Sequence, residues 1–525
     1  MRSALRKLSS GLCLALALGV CLELSAPAGA RADEAPAADG PFELQTLHVP
    51  GRPLEAWPAR FDATRPGRDL VVVAVEGSAP GERRRLCVFA RDAAGRLPSE
   101  PSAQLLVPRE TVAFDIGPPR TGGADAIVLL GPEALRIVIP GASDASRSIA
   151  LDPPAPLPPR GHELARLTFL DDWAGDGRTR ALVPDLDGAR LVALEGADVQ
   201  RVSFPVHAEY DVRGGGQRIR DELLVAELHW PVLERADDDG DGRLDLFALS
   251  RFRVAVHRLG EGGLSRRPTR VLALRPFTPE EELRPRATSL RLFAQDLDGD
   301  GLADLVVHRT AGSLLRSRSL TEVFLNPGGG VQDLTKPSLR FEEPDGLVTL
   351  EPRDLDGDGR MELVAARLAF GVVQLARILT TSRAVVDVRV TPIPPHGTVG
   401  PPPRPSFERS ITLRLDFATG SVVGLLPTAE GDWNGDGRRD LAFGRGPDEL
   451  VVQLGSKEET GPGFSGESVS QDVPSDGLGR VADLDGDGLD DLVVVDPWDQ
   501  TGQVRVLHNR GRLPGTPPAL RAGGR

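Results

Sequence analysis

Short β-branched and aliphatic runs recur along the chain, and turns rich in Gly, Pro and Asp cut each one off before a helical period can develop. DLVVVAV (69–75), RIVIPG (136–141), FRVAVHRLG (252–260), SLRLFAQ (289–295), DLVVH (304–308), ELVVQLG (449–455) and QVRVLHNRG (503–511) are representative. Runs of this length bounded by turn formers predict strands of antiparallel sheets. Composition sharpens the picture: 59 Gly and 46 Pro in 525 residues argue against a long helical bundle or coiled coil. The expected fold class is all-β.

One ten-residue phrase punctuates these strands five times: DDDGDGRLDL from 237, DLDGDGLADL from 296, DLDGDGRMEL from 354, DWNGDGRRDL from 432 and DLDGDGLDDL from 483. Weaker copies begin at Asp62, Asp115 and Asp172, and the spacings from 62 onward are 53, 57, 65, 59, 58, 78 and 51 residues. In each unit a strand leads into the acidic loop, a second leaves it and a third follows soon after. A unit of about 55 residues suits a four-stranded antiparallel sheet, and a ring of such sheets buries both faces of every one. The array therefore predicts a β-propeller of eight blades, with seven as the alternative count. The last unit ends too early for its outermost strand, and FELQTLHV (42–49) is placed to supply it and lock the ring.

The remaining segments are read as connectors. Residues 1–30 have the form of a signal peptide, with Arg2, Arg6 and Lys7 ahead of the apolar GLCLALALGVCL (11–22) and small residues near 28–32. Val20 argues against a lipid anchor on Cys21, and no later segment is apolar enough to cross a bilayer. Residues 31–41 are expected to be a disordered linker, 42–511 the propeller, 392–405 a Pro-rich loop thrown out from the sixth blade, and 512–525 a disordered tail. Only Cys87 remains after the leader, so no internal disulfide holds this exported domain, and a buried thiol is expected.

The acidic loops supply a different staple. Hard divalent cations take oxygen ligands, and Ca²⁺ gathers six to eight of them in a flexible shell. In DxDGDGxxD the side chains at positions 1, 3, 5 and 9 converge, position 7 adds its backbone carbonyl, and glycines at 4 and 6 permit the tight path. The expected ligands are Asp237, Asp239, Asp241, Arg243 and Asp245; Asp296, Asp298, Asp300, Leu302 and Asp304; Asp354, Asp356, Asp358, Arg360 and Glu362; Asp432, Asn434, Asp436, Arg438 and Asp440; and Asp483, Asp485, Asp487, Leu489 and Asp491. That makes about five Ca²⁺ sites. Solvated acidic turns are the plainer alternative, but four clustered carboxylates repel one another unless a cation neutralises them. An EF-hand fails, because position 12 from Asp237 is Ala248 and the flanks are strands. The loops at 62, 115 and 172 lack too many ligands and are expected to be empty turns. Trp173 and Trp433, at position 2 of their loops, are expected to pack between blades.

The repeated DxDGDGxxDL with its following strand resembles the FG-GAP/VCBS-type repeat of integrin-α-like propellers. FGRGPD (443–448) is close to the phrase that names the family, and LNPGGG (325–330) and LHNRG (507–511) resemble its Asn-Gly turns. The resemblance spans roughly 42–511 and is strongest over 237–511. It implies calcium in the five loops and a surface or exported location, without implying one activity.

Charge and composition narrow the partner. The formal charge of −14 argues against nucleic acid and anionic membrane surfaces. No GxSxG, HExxH or Walker-type motif is present, so no catalytic residue is assigned and the chain is not expected to be an enzyme; a polysaccharide lyase or hydrolase is the least favoured reading. The expected function is a binding or scaffold module for a protein partner at the cell surface or in the periplasm. Glycan binding is the alternative, for which Trp57, Trp230, Trp498 and Tyr210 are the available aromatics.

Overall fold

The computed structural model describes residues 40–521 except 79–80, 93–94, 142–145, 158–163, 197, 214–222, 283–287, 314–315, 329–331, 345, 370–371, 399–402, 417–420 and 459–460. Residues 1–39, which hold the expected signal peptide and most of the expected linker, lie outside the described residues. Eight blades follow one another as a propeller, 52–106, 113–150, 170–203, 232–273, 288–344, 346–423, 428–472 and 478–509, each an antiparallel sheet to which, in the second, Ala165–Arg166 adds a fifth strand in parallel. Each acidic loop joins the first strand of its blade to the second, so Asp304–Ser313 leaves the 296 loop as Asp491–Val495 leaves the 483 loop.

Alternation along the second strands explains why a ring forms. In Asp69–Glu76, Leu70, Val72 and Ala74 face blade 8, while Val71 and Val73 face blade 2. A strand whose two faces are both apolar must be covered twice, and a ring of sheets does this. Apolar clusters accordingly fill the junctions between neighbouring blades, one of them shared by blades 2, 3 and 4, and others placing Val306 with Leu350 between blades 5 and 6 and Leu450 with Leu492 between blades 7 and 8. Cys87 lies fully buried at the junction of blades 8 and 1, and burial pushes its thiol up to about 12.

The ring closes as the pattern predicted. Phe42–His48 pairs antiparallel with Gln503–Asn509, from Phe42 opposite Asn509 to His48 opposite Gln503, and is the outermost strand of blade 8. Gln471 of blade 7 clasps Phe42 from the other side: its Oε1 accepts the Phe42 N–H at 2.8 Å and its Nε2 donates to the Phe42 carbonyl at 2.8 Å.

Several elements depart from the simple four-strand count. Blade 6 has a fifth strand, Ser421–Val423, and a helix, Val372–Thr381, between its second and third strands. The helix stops at Ser382, whose φ of 53° is the left-handed C-terminal turn. Helix and extra strand, together with the connector after Pro392, account for the long 78-residue spacing. Blade 7 has three full strands, its first reduced to a bridge between Thr428 and Ala442, and carries a side hairpin, Gly455–Glu458 with Gly461–Phe464. Asp115 lies inside the first strand of blade 2, Ala113–Gly117, rather than opening its loop. The tail also corrects its expectation. Residues 512–521 are ordered against blades 7 and 8: Leu513 is buried, and Pro518–Arg521 forms a helical turn whose Leu520 lies over Gly435.

Candidate metal centres

The acidic loops are built on a fixed hydrogen-bond plan. At position 1 the carboxylate folds back onto its own loop: Asp296 accepts the N–H of Gly299 at 2.8 Å and of Gly301 at 2.9 Å. Asp237, Asp354 and Asp483 repeat this with Gly240 and Gly242, Gly357 and Gly359, and Gly486 and Gly488. Asp432 accepts from Asp436 and Gly437 instead. Gly299 and Gly301 have φ of 80° and 84°, a region that only glycine enters without strain, which is why the motif needs them. Position 5 accepts the N–H of position 7 in all five loops, Asp241 from Arg243, Asp300 from Leu302, Asp358 from Arg360, Asp436 from Arg438 and Asp487 from Leu489.

The acid at position 9 has a second task that its spacing did not reveal. Asp304 accepts the N–H of Leu297 at 2.9 Å on one oxygen and of Asn326 at 2.6 Å on the other, joining its loop to the end of the third strand. Asp245 does the same with Asp238 and Leu259, Asp440 with Trp433 and Gly455, and Asp491 with Leu484 and Asn509; Glu362 accepts from Leu355. Asp69 of blade 1 makes the same clamp, to Phe61 and Arg91, in a loop with few other acids. Each carboxylate oxygen has a further lone pair, so the clamp and metal ligation are compatible.

The loops also hold one another. Asp237 accepts the N–H of Ala303, Leu297 that of Met361, Leu355 that of Arg439 and Leu484 that of Arg68, so the loops of consecutive blades form a hydrogen-bonded belt. The Asn of the two turn phrases staples this belt. Asn326 Nδ2 donates to the carbonyl of Asp238 at 3.3 Å, and Asn509 Nδ2 to that of Trp433, each reaching into the preceding blade's loop. Sequence reasoning noted these turns without assigning the asparagines a role.

Among the described residues, four of the five loops bring three acids together with one oxygen of each within 4.8 Å of the others: Asp237, Asp239 and Asp245; Asp296, Asp298 and Asp300; Asp354, Asp356 and Glu362; and Asp483, Asp485 and Asp487. Asp241, Asp304, Asp358 and Asp491 stand outside these triplets. In the 432 loop Asn434 holds position 3, donating to Asp436 at 3.2 Å and to the Pro514 carbonyl at 3.1 Å. A further triplet joins Asp485 and Asp491 to His508 on the strand Gln503–Asn509.

Electrostatics favour a cation at these points. Burial, with neighbouring carboxylates adding to it, pushes Asp245 up to about 6 and Asp304, Glu362, Asp440 and Asp487 up to about 7. Asp298 is buried, and its Oδ1 has no hydrogen-bond partner among the described residues. A buried carboxylate oxygen left bare beside two other acids suits a hard cation and little else. Asp238, at position 2 of its loop, is no ligand: it is fully buried and paired with Arg258 and Arg270.

The weak 172 loop keeps the plan, with Asp172 accepting from Asp176 and Gly177 and Asp176 accepting from Arg178. Trp173 and Trp433 are both buried in clusters between blades. First strands of blades 1, 6 and 8 line a cavity of about 160 Å³, which places it at the centre of the ring, where Arg480 stacks 3.8 Å from the Trp57 ring centre.

Comparison with known proteins agrees with this plan. No curated protein matches the chain. Among solved structures the chain is similar to the Vibrio cholerae (V. cholerae) biofilm matrix protein Bap1, at 13% identity over 90% of this chain and 89% of that one, with a TM-score of 0.40. Residues 296–365, from the acidic loop of blade 5 to the start of the second strand of blade 6, match the family model of the FG-GAP-like repeat. The chain is thus an eight-bladed β-propeller whose residues 296–365 match the FG-GAP-like repeat, and the acidic-loop plan of that stretch recurs in the 237, 354, 432 and 483 loops.

Proposed function

We propose that the protein is an exported, calcium-stapled binding module that presents its propeller to a protein partner at the cell envelope or outside the cell. The observation that carries the proposal is the belt of acidic loops, whose backbone bonds join the loops of blades 4 and 5, 5 and 6, 6 and 7, and 8 and 1, while each of four loops converges three acids. The residues that would hold the ions are those at positions 1, 3, 5, 7 and 9 of the 237, 296, 354, 432 and 483 loops. A bound Ca²⁺ supplies positive charge that neutralises each cluster. The chain's own share is to hold the carboxylates in place through the glycine N–H groups and to transmit the restraint along the belt to neighbouring blades.

The distribution of aromatic residues supports a protein partner over a glycan. Trp173 and Trp433 are core residues, Trp230 packs edge-on against Phe204, and Trp57 carries Arg480 on its ring. Trp498 is exposed, but one such ring is a small platform for a sugar chain. No helix of the described residues is long and apolar enough to cross a membrane. The test incubates the mature protein with envelope fractions and with immobilised polysaccharides, in calcium and in chelator. Calcium-dependent capture of a defined protein with no polysaccharide retention is expected. Chelator-sensitive retention on a polysaccharide would replace this reading with glycan binding.

A further inference from the structure

Some acidic loops of this propeller already face a cation supplied by the chain itself. In the 172 loop the cation is built in. Arg180 stands at position 9, and its guanidinium lies 2.8 Å from each oxygen of Asp176 and 3.1 Å from Asp198, with the side chain 4% exposed. The loop otherwise keeps the plan of the metal-type loops, so this backbone tolerates a side-chain cation where others would gather an ion.

In the 354 loop the cation comes from the next blade. Lys457, on the side hairpin of blade 7, places Nζ 2.6 Å from Asp356 Oδ2 and 3.6 Å from Asp358 Oδ2, the acids at positions 3 and 5. Asp356 is buried by the contact, at 2% side-chain exposure, while the lysine side chain remains 51% exposed and can swing away. The hairpin does not depend on this contact: Gly455 donates to Asp440, and Phe464 packs edge-on against Phe407 at 5.1 Å. Among the described residues no Lys or Arg is ion-paired with the acids of the 296 loop, whose Asp298 Oδ1 is bare. The lysine ammonium is a compact point charge on a flexible stem, which suits a cation that must leave its seat. This chain has 62 Lys and Arg, of which only Lys7, Lys336 and Lys457 are lysine.

We propose that Lys457 is an internal competitor for the cation of the 354–362 loop, so that this loop binds calcium more weakly than the 296 loop and releases the Lys457 ammonium when it does. The inference rests on the reading of these loops as calcium sites. Two charges of like sign cannot share the Asp356–Asp358 seat, so ion and ammonium exclude each other.

Two measurements on the mature protein test this. The first is amine acetylation followed by mass spectrometry, with exposed Lys336 as internal reference. Calcium is expected to raise the labelling of Lys457 several-fold relative to Lys336. The second follows amide exchange of peptides covering 354–362 and 296–304 across a calcium titration. Lys457→Gln is expected to shift the 354–362 midpoint to about fivefold lower calcium, with 296–304 unchanged and Lys457→Arg keeping the cation and the wild-type midpoint. Unchanged Lys457 labelling, or equal midpoints in the wild type and Lys457→Gln while 296–304 still titrates, would overturn the competition alone. If neither loop titrates in any of these proteins, the calcium reading falls and the competition falls with it.

Discussion

Removing the Asp304 carboxylate strands two backbone N–H groups inside the protein, those of Leu297 and Asn326. Orphaned buried donors cost about 1–3 kcal/mol each, so Asp304→Ala is expected to destabilise by roughly 2–6 kcal/mol in chelator as well as in calcium. Asp298→Asn differs in kind. Its Oδ1 accepts no hydrogen bond, and the side-chain oxygen that an amide retains can still accept the His396 N–H. Its cost should therefore appear in calcium and vanish in chelator. Denaturant unfolding of both variants under both conditions separates the clamp at position 9 from the ligand at position 3; a calcium-independent loss in Asp298→Asn would remove it from the ligand set. Arg180→Met is a third case. It leaves Asp176 and Asp198 unpaired but about half exposed, so water replaces much of what is lost, and a fall of about 1–2 kcal/mol, equal with and without calcium, is expected.

Strands and loops were largely legible because two simple periodicities carry them. Short apolar runs mark the second strands, and in blades 4 to 8 the acidic phrase marks the turn that precedes them, so blade number and ring closure could be read without tertiary information. What stayed hidden depends on contacts between blades. Lys457 reaches the 354 loop from about a hundred positions away, and Asn326 reaches the Asp238 carbonyl across a blade boundary. Neither pairing leaves a local pattern. The helix Val372–Thr381 was missed for another reason: VVQLARIL continues the apolar texture of Glu362–Ala369, and its helical period is only two turns long. The closing strand is the element whose removal tests the ring. A chain beginning at residue 50 loses the buried Phe42 and Leu47 and leaves Gln503–Asn509 as an open edge. Calorimetry is expected to show a lower melting temperature, and size-exclusion chromatography self-association through that edge; a monomer of unchanged stability would show that blade 8 closes without it.

At the scale of the whole molecule, clustered acids make calcium and pH two controls on one quantity. Extracellular calcium modules bind with Kd of about 10⁻⁴ M or weaker, so at about 1 mM calcium a site at the tighter end adds roughly 1.4 kcal/mol. Five such sites would add about 7 kcal/mol, comparable to the stability of an ordinary domain. Chelation is thus expected to lower the melting temperature substantially, and a melting temperature that ignores chelator would remove calcium from the structural role. The pH dependence has a definite sign. Burial and neighbouring carboxylates raise Asp304, Glu362, Asp440 and Asp487 to about 7, far above unfolded carboxylates, so without metal the folded chain holds more protons than the unfolded chain up to that pH. Their contribution is fully present near pH 4 and is lost as pH rises through 7. Buried His308, held down to about 4, acts in the opposite sense, but only between about 4 and its ordinary value of 6.5. His508 is raised because the Asp491 and Asp485 charges outweigh its burial, so it acts in the same sense as the carboxylates. The decisive window is pH 6.5–8, clear of His308, where in chelator the melting temperature should fall and then level off as pH passes 7. Calcium takes the deprotonated carboxylates, so its stabilising increment should grow across the same window and flatten or reverse that slope. A chelator curve that stays level from pH 6.5 to 8 would mean that these acids ionise without hindrance in the folded chain, and the electrostatic case for a cation among them would be lost.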